Sequence, residues 1–181
     1  GLRCWGSNDY GKLGYPADVA RVGDDEHPFE VGDVATGGAI KQVALGVLHT
    51  CVLYTAGNVR CFGYSEGGGL GYGNELPVGL PVEADDVLLG EAATQVVAGF
   101  SHTCALLESG AIRCWGGGRA ALGYADGESV VGDDEVPADK PAVEIGSAAA
   151  YLTAGGQYTC ALLAGGDGRI RCWGYGPTGE L

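Results

Sequence analysis

The sequence SHTCALLESGAIRCWG, residues 101–116, predicts a β-hairpin because two apolar segments flank a short turn that ends in glycine. Variants of this hairpin recur at residues 48–63 and 157–174, and its second half alone stands at residues 3–6. The cysteine of the second half returns every 53–58 residues, as Cys4, Cys61, Cys114 and Cys172. A repeat of this length is typical of one four-stranded blade of a β-propeller.

Composition limits both the fold and the partners. Glycine accounts for 35 of the 181 residues without a collagen-like period, which favours short strands and tight turns over helices. The net charge is −13, with ten basic residues against 23 acidic ones, and this balance opposes a nucleic-acid partner or an anionic lipid surface. No apolar run reaches 18 residues, so we expect no membrane insertion.

The repeats predict an all-β fold, namely a partial β-propeller of about three four-stranded antiparallel blades. We treat residues 1–181 as a single partial propeller. Its parts are a half blade (1–38), two blades (39–90 and 91–146) and an incomplete blade (147–181).

Each blade is expected to contain four strands. The first is a short apolar run that ends in glycine, at residues 41–46, 94–99 and 151–155. The hairpin supplies the second and third strands. The fourth is expected in segments marked by proline, where an edge position requires no N–H group, at residues 27–31, 80–83 and 140–144.

The hairpin pattern predicts that its two cysteines face each other. If Cys104 lies opposite Cys114, the turn is a three-residue loop with Gly110 at the left-handed position. The third copy has two more loop residues, yet its cysteines remain opposed. Opposed residues of antiparallel strands lie within disulfide range. Buried reduced thiols or metal ligands are the alternatives to the expected bonds Cys51–Cys61, Cys104–Cys114 and Cys160–Cys172, which leave Cys4 unpaired.

Three motifs carry a family resemblance: His-Thr-Cys-Ala-Leu at 102–106, Arg-Cys-Trp-Gly at 113–116, and Leu-Gly-Tyr at 13–15, 70–72 and 122–124. The chain resembles tandem repeats of the regulator of chromosome condensation family, in a cysteine-bearing version familiar from bacterial surface and secreted proteins. The resemblance covers essentially the whole chain. It implies that the parent propeller has seven blades, of which this chain would form a part.

No residue set has the pattern of a catalytic site, and we expect no cofactor. His49 and His102 could suggest a metal site or a general base, but the third copy has Tyr158 at this position, so we interpret both histidines as structural. One further repeat position is always aromatic and is interpreted as core; it holds Trp5, Phe62, Trp115 and Trp173.

Two matching acidic runs are weak candidates for calcium sites, since carboxylates in a glycine-bearing loop can bind that ion. They lack the Asp-x-Asp-x-Asp spacing that wraps around calcium, which favours turn formation and solvation instead. The candidate ligands are Asp24, Asp25, Glu26, Asp133, Asp134 and Glu135.

We predict a non-catalytic protein-binding scaffold. Three disulfides would place it in an extracellular, periplasmic or cell-surface location. The hairpins are near copies, whereas the long connections differ, and loops of that kind carry binding sites. Contacts with an unidentified protein partner are expected at exposed aromatic residues of those connections, namely Tyr15, Tyr64, Tyr72 and Tyr124.

The alternatives come from the resemblance and from the repeat boundaries. They are inhibition of a secreted enzyme and a structural role in a larger surface or multiprotein assembly. Guanine-nucleotide exchange, the activity of the family's founding member, is opposed by the expected disulfides and by the acidic composition.

Overall fold

A computed structural model describes residues 1–125, 127 and 129–176 of the chain. Residues 177–181, at the end of the expected incomplete blade, lie outside the described residues. Within the described part, no helix is long and apolar enough to cross a bilayer.

Antiparallel sheets follow one another along the chain. A two-stranded sheet opens it, with β1 (Gly6–Ser7) and β2 (Arg21–Val22), and the short helix α1 (Pro28–Val31) follows. The next sheet contains β3 (Ile40–Leu45), β4 (His49–Tyr54) and β5 (Val59–Gly63). A four-stranded sheet comes next, with β6 (Ala93–Ala98), β7 (His102–Leu107), β8 (Ile112–Gly117) and β9 (Val130–Val131). The last contains β10 (Ala149–Ala154), β11 (Tyr158–Leu163) and β12 (Ile170–Gly174).

Short 3₁₀ helices lie in the connections between the strands. They span Asp9–Gly11, Glu66–Gly68, Pro81–Glu83, Arg119–Leu122 and Pro137–Asp139. The prediction of an all-β fold with antiparallel sheets in about three partial blades is confirmed, and among the described residues one sheet has four strands.

The hairpins have the register derived from the sequence. Cys104 pairs with Cys114 across β7 and β8, and the corresponding cysteines pair in the other two hairpins. Gly57 and Gly110 close the three-residue turns with φ values of +90° and +82°. Sulfur atoms 2.08–2.11 Å apart form the disulfides Cys51–Cys61, Cys104–Cys114 and Cys160–Cys172.

The predicted positions of the fourth strands are wrong. The segment 27–31 contains α1, residues 81–83 form a 3₁₀ helix, and no strand lies within 140–144. Proline begins a helical turn at Pro28 and Pro81 because its fixed φ suits the first helical position. The true fourth strand is one or two residues long and comes earlier. It pairs a valine with the glycine after the aromatic residue: Gly6 with Val22, Gly63 with Val78, and Gly116 with Val131.

Neighbouring blades pack an aromatic ring against a glycine. Trp115 is fully buried, and a Cβ atom on Gly71 would lie 2.9 Å from its indole ring. Gly71 also has a φ of +77°, so the Leu-Gly motif combines a left-handed turn with close approach to the next blade. The same position is exposed at Trp5, with 67% of its surface accessible, because no preceding blade is among the described residues. There the interpretation as core is wrong.

Buried histidines join each blade to the next. His49 Nε2 lies 2.8 Å from Thr103 Oγ1, and His102 Nε2 lies 3.0 Å from Thr159 Oγ1. Burial lowers the pKa of each histidine to about 4, with His102 adding a smaller contribution at His49. Both rings are therefore neutral hydrogen-bonding groups at pH 7, which agrees with a structural role.

A second set of blade-to-blade bonds runs along the innermost strands. The amide of Gln42 donates to Val96 O and accepts from Val96 N–H, at 2.8 and 3.1 Å. Gln95 makes the same pair of bonds with Leu152, both at 2.8 Å. Each glutamine thus acts as an extra peptide group between β3, β6 and β10, and the blades are held in a fixed relative position.

Candidate functional site: the upper face

One end of the blades carries the turns between their first and second strands together with the start of the long connections. Tyr64 N–H donates to Leu48 O at 2.9 Å, and the same bond recurs from Gly117 to Ser101 and from Tyr175 to Gln157. The hairpin loops lie at the opposite end, beyond the pairs Leu53–Val59 and Leu106–Ile112. We call the first surface the upper face; it comprises Tyr10 and residues 46–48, 64–69, 99–101, 117–118 and 155–157.

The backbone of the upper face is fixed while its side chains vary. Val47 N–H donates to Phe100 O at 3.3 Å, and Phe100 N–H donates to Gly156 O at 2.7 Å, so successive turns are joined. Those three equivalent positions hold a valine, a phenylalanine and a glycine. Phe100 has 53% of its surface exposed and Val47 has 47%. The scaffold therefore leaves these side chains free for contacts with other molecules.

Tyr10 reaches the upper face from the N-terminal half blade. Its ring centroid lies 4.4 Å from that of Tyr64, with the planes tilted by 36°. Among the described residues, Tyr10 is the one non-glycine residue with positive φ, at 61°, and 55% of its surface is exposed. The next repeat has Gly67 at this position, with a φ of 65°.

The backbone conformation of Tyr10 has a cost that its ring contact partly offsets. A left-handed conformation is unfavourable by about 1–2 kcal/mol for a residue with a Cβ atom. A stacked or tilted aromatic pair contributes roughly 0.5–1.5 kcal/mol. Stability alone therefore gives no reason for tyrosine over the glycine of the next repeat, and strain at an exposed aromatic residue suggests a functional role.

Carboxylates surround this aromatic pair. Tyr64 Oη donates to Glu66 Oε2 at 2.9 Å, and Gly67 N–H donates to Glu75 Oε1 at 2.8 Å. The hydrogen bond to Glu66 is the main cause that raises the pKa of Tyr64, and the charges of Glu66 and Glu75 act in the same direction. In the part of the chain that the structure describes, neither glutamate forms an ion pair. The local potential is therefore negative.

A cavity of about 120 Å³ opens between the first two full blades on this face. Leu48, Tyr64 and Phe100 supply apolar and aromatic wall, and Glu66 and Ser101 supply polar groups. Neutral His49 also contributes to the lining. The cavity thus combines an aromatic wall with a carboxylate.

Three of the four tyrosines predicted as contact residues belong to the scaffold. Tyr15 is buried, with 5% of its surface exposed, and its hydroxyl donates to Gly32 O at 2.9 Å. Tyr72 and Tyr124 are partly buried, and each hydroxyl bonds the N–H and C=O of a disulfide cysteine in the third strand. Because the fourth strand is so short, these phenols take its place in the ladder. The prediction that they are exposed is wrong, whereas half-buried Tyr64 lies on the upper face.

Replacing Tyr72 with phenylalanine is expected to destabilise the chain by about 1–3 kcal/mol, because Cys61 N–H and C=O both lose their phenol partner. Urea denaturation measures the change. The matched variant Tyr64→Phe removes a hydroxyl from a surface position and is expected to change stability by less than about 0.5 kcal/mol. Equal losses in the two variants would contradict the scaffold role of Tyr72.

The acidic runs do bring their carboxylates together. In each trio the carboxylate oxygens lie within 4.8 Å of one another: Asp24, Asp25 and Glu26, then Asp133, Asp134 and Glu135. Glu26 Oε1 also accepts a hydrogen bond from Gly23 N–H at 2.8 Å, a contact that stabilises the turn. A hydrogen bond to Glu26 raises the pKa of Asp25. Calcium binding at either run stays a prediction.

Sequence reasoning missed Tyr10, Val47 and Phe100. The available signal was a comparison of loop positions between repeats, where Tyr10 replaces a left-handed glycine and Phe100 replaces a valine or a glycine. The tyrosine after Leu-Gly, by contrast, occurs in three repeats, as expected of a residue that the scaffold requires in every blade.

Disulfide-stapled antiparallel blades that interlock through aromatic, histidine and glutamine contacts define a β-propeller repeat protein. Sequence models of the Regulator of chromosome condensation (RCC1) repeat match residues 40–68 and 93–120, and a second model of that name matches residues 4–53. The chain belongs to the RCC1 repeat family.

Curated relatives align along most of the chain. The mitochondrial RCC1 domain-containing protein RUG3 of Arabidopsis thaliana is 31% identical over 188 residues, covering 99% of this chain and 39% of the relative. The probable E3 ubiquitin-protein ligase HERC4 of Homo sapiens is 28% identical over 98% of this chain and 16% of the relative. The chain therefore spans well under half the length of these relatives.

Solved structures share the fold. Prp20p of Saccharomyces cerevisiae superimposes with a TM-score of 0.70 at 22% identity, over 97% of this chain and 41% of that one. Human WBSCR16 gives a TM-score of 0.70 at 21% identity, over 95% of this chain and 43% of that one. At this level of identity the likeness shows the fold alone.

Proposed function

We propose that this chain is a non-catalytic protein-binding scaffold that works outside the reducing cytosol and contacts its partner through the upper face. RCC1-like repeats suggest a protein-interaction scaffold in general. The upper face, its use in binding and the location are the specific parts of the proposal.

The observation that carries the proposal is the division between fixed backbone and variable side chains on the upper face. Backbone bonds join Val47, Phe100 and Gly156, while the side chains at these positions differ and two of them are exposed. Tyr10 and Tyr64 add an aromatic pair beside them. Exposed apolar residues on a rigid frame lose little conformational entropy on binding, which favours a protein contact.

The disulfides support a location outside the cytosol. Three bonds occupy the same position in three blades, and in the first two the cysteines are fully buried. Disulfides of this structural kind persist in oxidising compartments and are rare in the cytosol.

Relatives illustrate what whole proteins with such repeats do. The structure of Prp20p is described together with its binding to Gsp1p and histones, and yeast RCC1 has been solved bound to Kap60. These statements concern proteins of which this chain covers about two fifths, so they support protein binding as a class of function. The net charge of −13 disfavours the same partners here.

Site-specific photo-crosslinking tests the role of the upper face. A benzophenone amino acid replaces Phe100 in the chain expressed in its own host. A control chain carries the same amino acid at Leu88, which is 59% exposed and lies near the hairpin loops, at the end of the blades opposite the upper face. We expect a protein adduct at position 100 and none at position 88. An adduct at position 88 alone would place binding elsewhere.

The location is tested separately by trapping thiols. Protein isolated from its host is alkylated without reductant, and its intact mass is measured. We expect disulfide bonds to protect six cysteines from alkylation. The seventh cysteine, Cys4, is a buried free thiol. Alkylation of all seven would contradict export.

A further inference from the structure

We infer that the cavity beside Tyr64 on the upper face binds an arginine side chain presented by the protein partner. This inference rests on the proposed function, because it names the chemistry of the group that the upper face would contact. Tyr64, Phe100 and Leu48 form the wall of the cavity and Glu66 stands at its edge.

The shape of the cavity suits a flat group at the end of a long side chain. Its volume of about 120 Å³ is too small for a drug-sized ligand, which needs roughly 300 Å³ or more. A guanidinium group is planar and stacks on aromatic faces, and the methylene groups of arginine can pack against apolar wall such as Leu48. One side chain therefore fills the available space.

The charge of the surroundings selects a cation. Glu66 and Glu75 are exposed and carry hydrogen bonds from Tyr64 and from Gly67, but no ion pair within the described residues. The nearest basic residue along the chain is Arg60, whose Nε lies 2.6 Å from Asp86 Oδ1 in an ion pair of its own. The negative potential of these carboxylates is thus left to attract a positive group from outside.

Arginine fits this arrangement better than lysine does. Its donors can bond a carboxylate in the plane of the guanidinium while the face of the same group lies against an aromatic ring. Glu66 and Tyr64 offer those two surfaces side by side, since Tyr64 Oη and Glu66 Oε2 are 2.9 Å apart. An ammonium group is a compact, strongly hydrated charge and would use the carboxylate alone.

Tyr10 supports the ring of Tyr64, which lines the cavity, at a cost to its own backbone. Its ring lies against Tyr64 and restricts the rotation of that ring, which keeps the face of Tyr64 in position for stacking. Glycine would satisfy the left-handed backbone at position 10, as it does at Gly67. Tyr10 is therefore a positioning residue for the cavity.

Nuclear magnetic resonance titration of the full, oxidised chain tests the inference. The probe is N-acetyl-arginine-N-methylamide, compared with the corresponding lysine and norleucine compounds. We expect saturable shifts of the amide signals of Leu48, Gly69 and Ser101, with a Kd on the order of 1 mM for arginine. We expect binding that is about fivefold weaker for lysine and undetectable for norleucine.

Variants then separate the cavity from the general acidity of the chain. Tyr64→Gly, which copies Gly117 of the next blade, and Glu66→Gln are each expected to weaken arginine binding about fivefold or more. Glu108→Gln removes the same charge from the exposed hairpin loop at the opposite end and is expected to change the Kd less than twofold. Tyr10→Gly is expected to weaken binding about threefold and to leave the melting temperature unchanged or raised.

Three results would overturn the inference: shifts that do not saturate, equal effects of Glu66→Gln and Glu108→Gln, or norleucine binding as tightly as arginine. The proposed scaffold function would still be supported in each of these cases if the photo-crosslink at position 100 forms. Conversely, saturable arginine binding without any crosslinked protein would support arginine binding by the cavity and contradict the proposed scaffold function.

Discussion

Full reduction of the three disulfides is expected to unfold the chain. Each bond closes a loop between residues only 10–12 positions apart, for which the lost chain entropy corresponds to roughly 3 kcal/mol. Three bonds together contribute about 8–9 kcal/mol, which is comparable to the whole stability of a typical domain at about 5–15 kcal/mol. The repeats thus depend on covalent bonds as well as on their interlocking contacts.

The three bonds are not expected to react together. Cys51, Cys61, Cys104 and Cys114 have no exposed surface, whereas Cys172 is exposed. Under native conditions a small reductant should therefore open Cys160–Cys172 first, and the other two bonds should open only on global unfolding. Alkylation followed by peptide mass spectrometry at increasing reductant concentration measures this order.

Paired substitutions provide the control. Cys104→Ala with Cys114→Ala removes a bond from the centre of the core, and we expect a loss of about 3–5 kcal/mol in urea denaturation. Cys160→Ala with Cys172→Ala removes the exposed bond and is expected to cost about 2–3 kcal/mol. Simultaneous reduction of all three bonds, or an unchanged melting temperature after reduction, would contradict the prediction.

The parts of the fold that could be predicted are those whose cause is local in the sequence. The hairpin around Cys104 and Cys114 follows from the position of Gly110 and from two strands of equal length, and its register follows at once. The fourth strands could not be placed this way. A two-residue strand such as Val130–Val131 has no periodicity to detect, and it pairs with Gly116, whose φ of +99° favours glycine.

The candidate site was harder to predict because its residues come from separate repeats. Tyr10 and Tyr64 are 54 positions apart, and Phe100 lies in the next blade again. Bonds from His49 and Gln42 join the blades of Tyr64 and Phe100, and the bond from Thr50 Oγ1 to Lys12 O joins the half blade that carries Tyr10. The tyrosine after Leu-Gly was predicted to be exposed because it lies in a long connection. In the structure the phenols of Tyr72 and Tyr124 bond the third strand, and these contacts could not be inferred from the loop sequence.

Acidification from pH 7 to pH 5 is expected to destabilise the oxidised chain by about 3–4 kcal/mol through His49 and His102. Both have a pKa of about 4 in the folded state, against an ordinary value of 6.5 that applies to the unfolded chain. The folded state therefore binds fewer protons than the unfolded state between these values. Its stability is complete above pH 6.5 and is lost as the pH falls towards 4, with a slope of about 1.4 kcal/mol per pH unit for each histidine.

The pH dependence should follow the number of buried histidines. His49→Gln keeps a group that can bond Thr103 Oγ1 and does not titrate, so the slope between pH 6 and pH 5 should fall by about half, and His102→Gln should act in the same way. His27→Gln changes an exposed histidine and should leave the slope unchanged. Urea denaturation at intervals of half a pH unit measures all three. A slope that survives in the double variant His49→Gln/His102→Gln would assign the acid sensitivity to carboxylates instead. The neutral histidine bridges between blades would then contribute nothing to it.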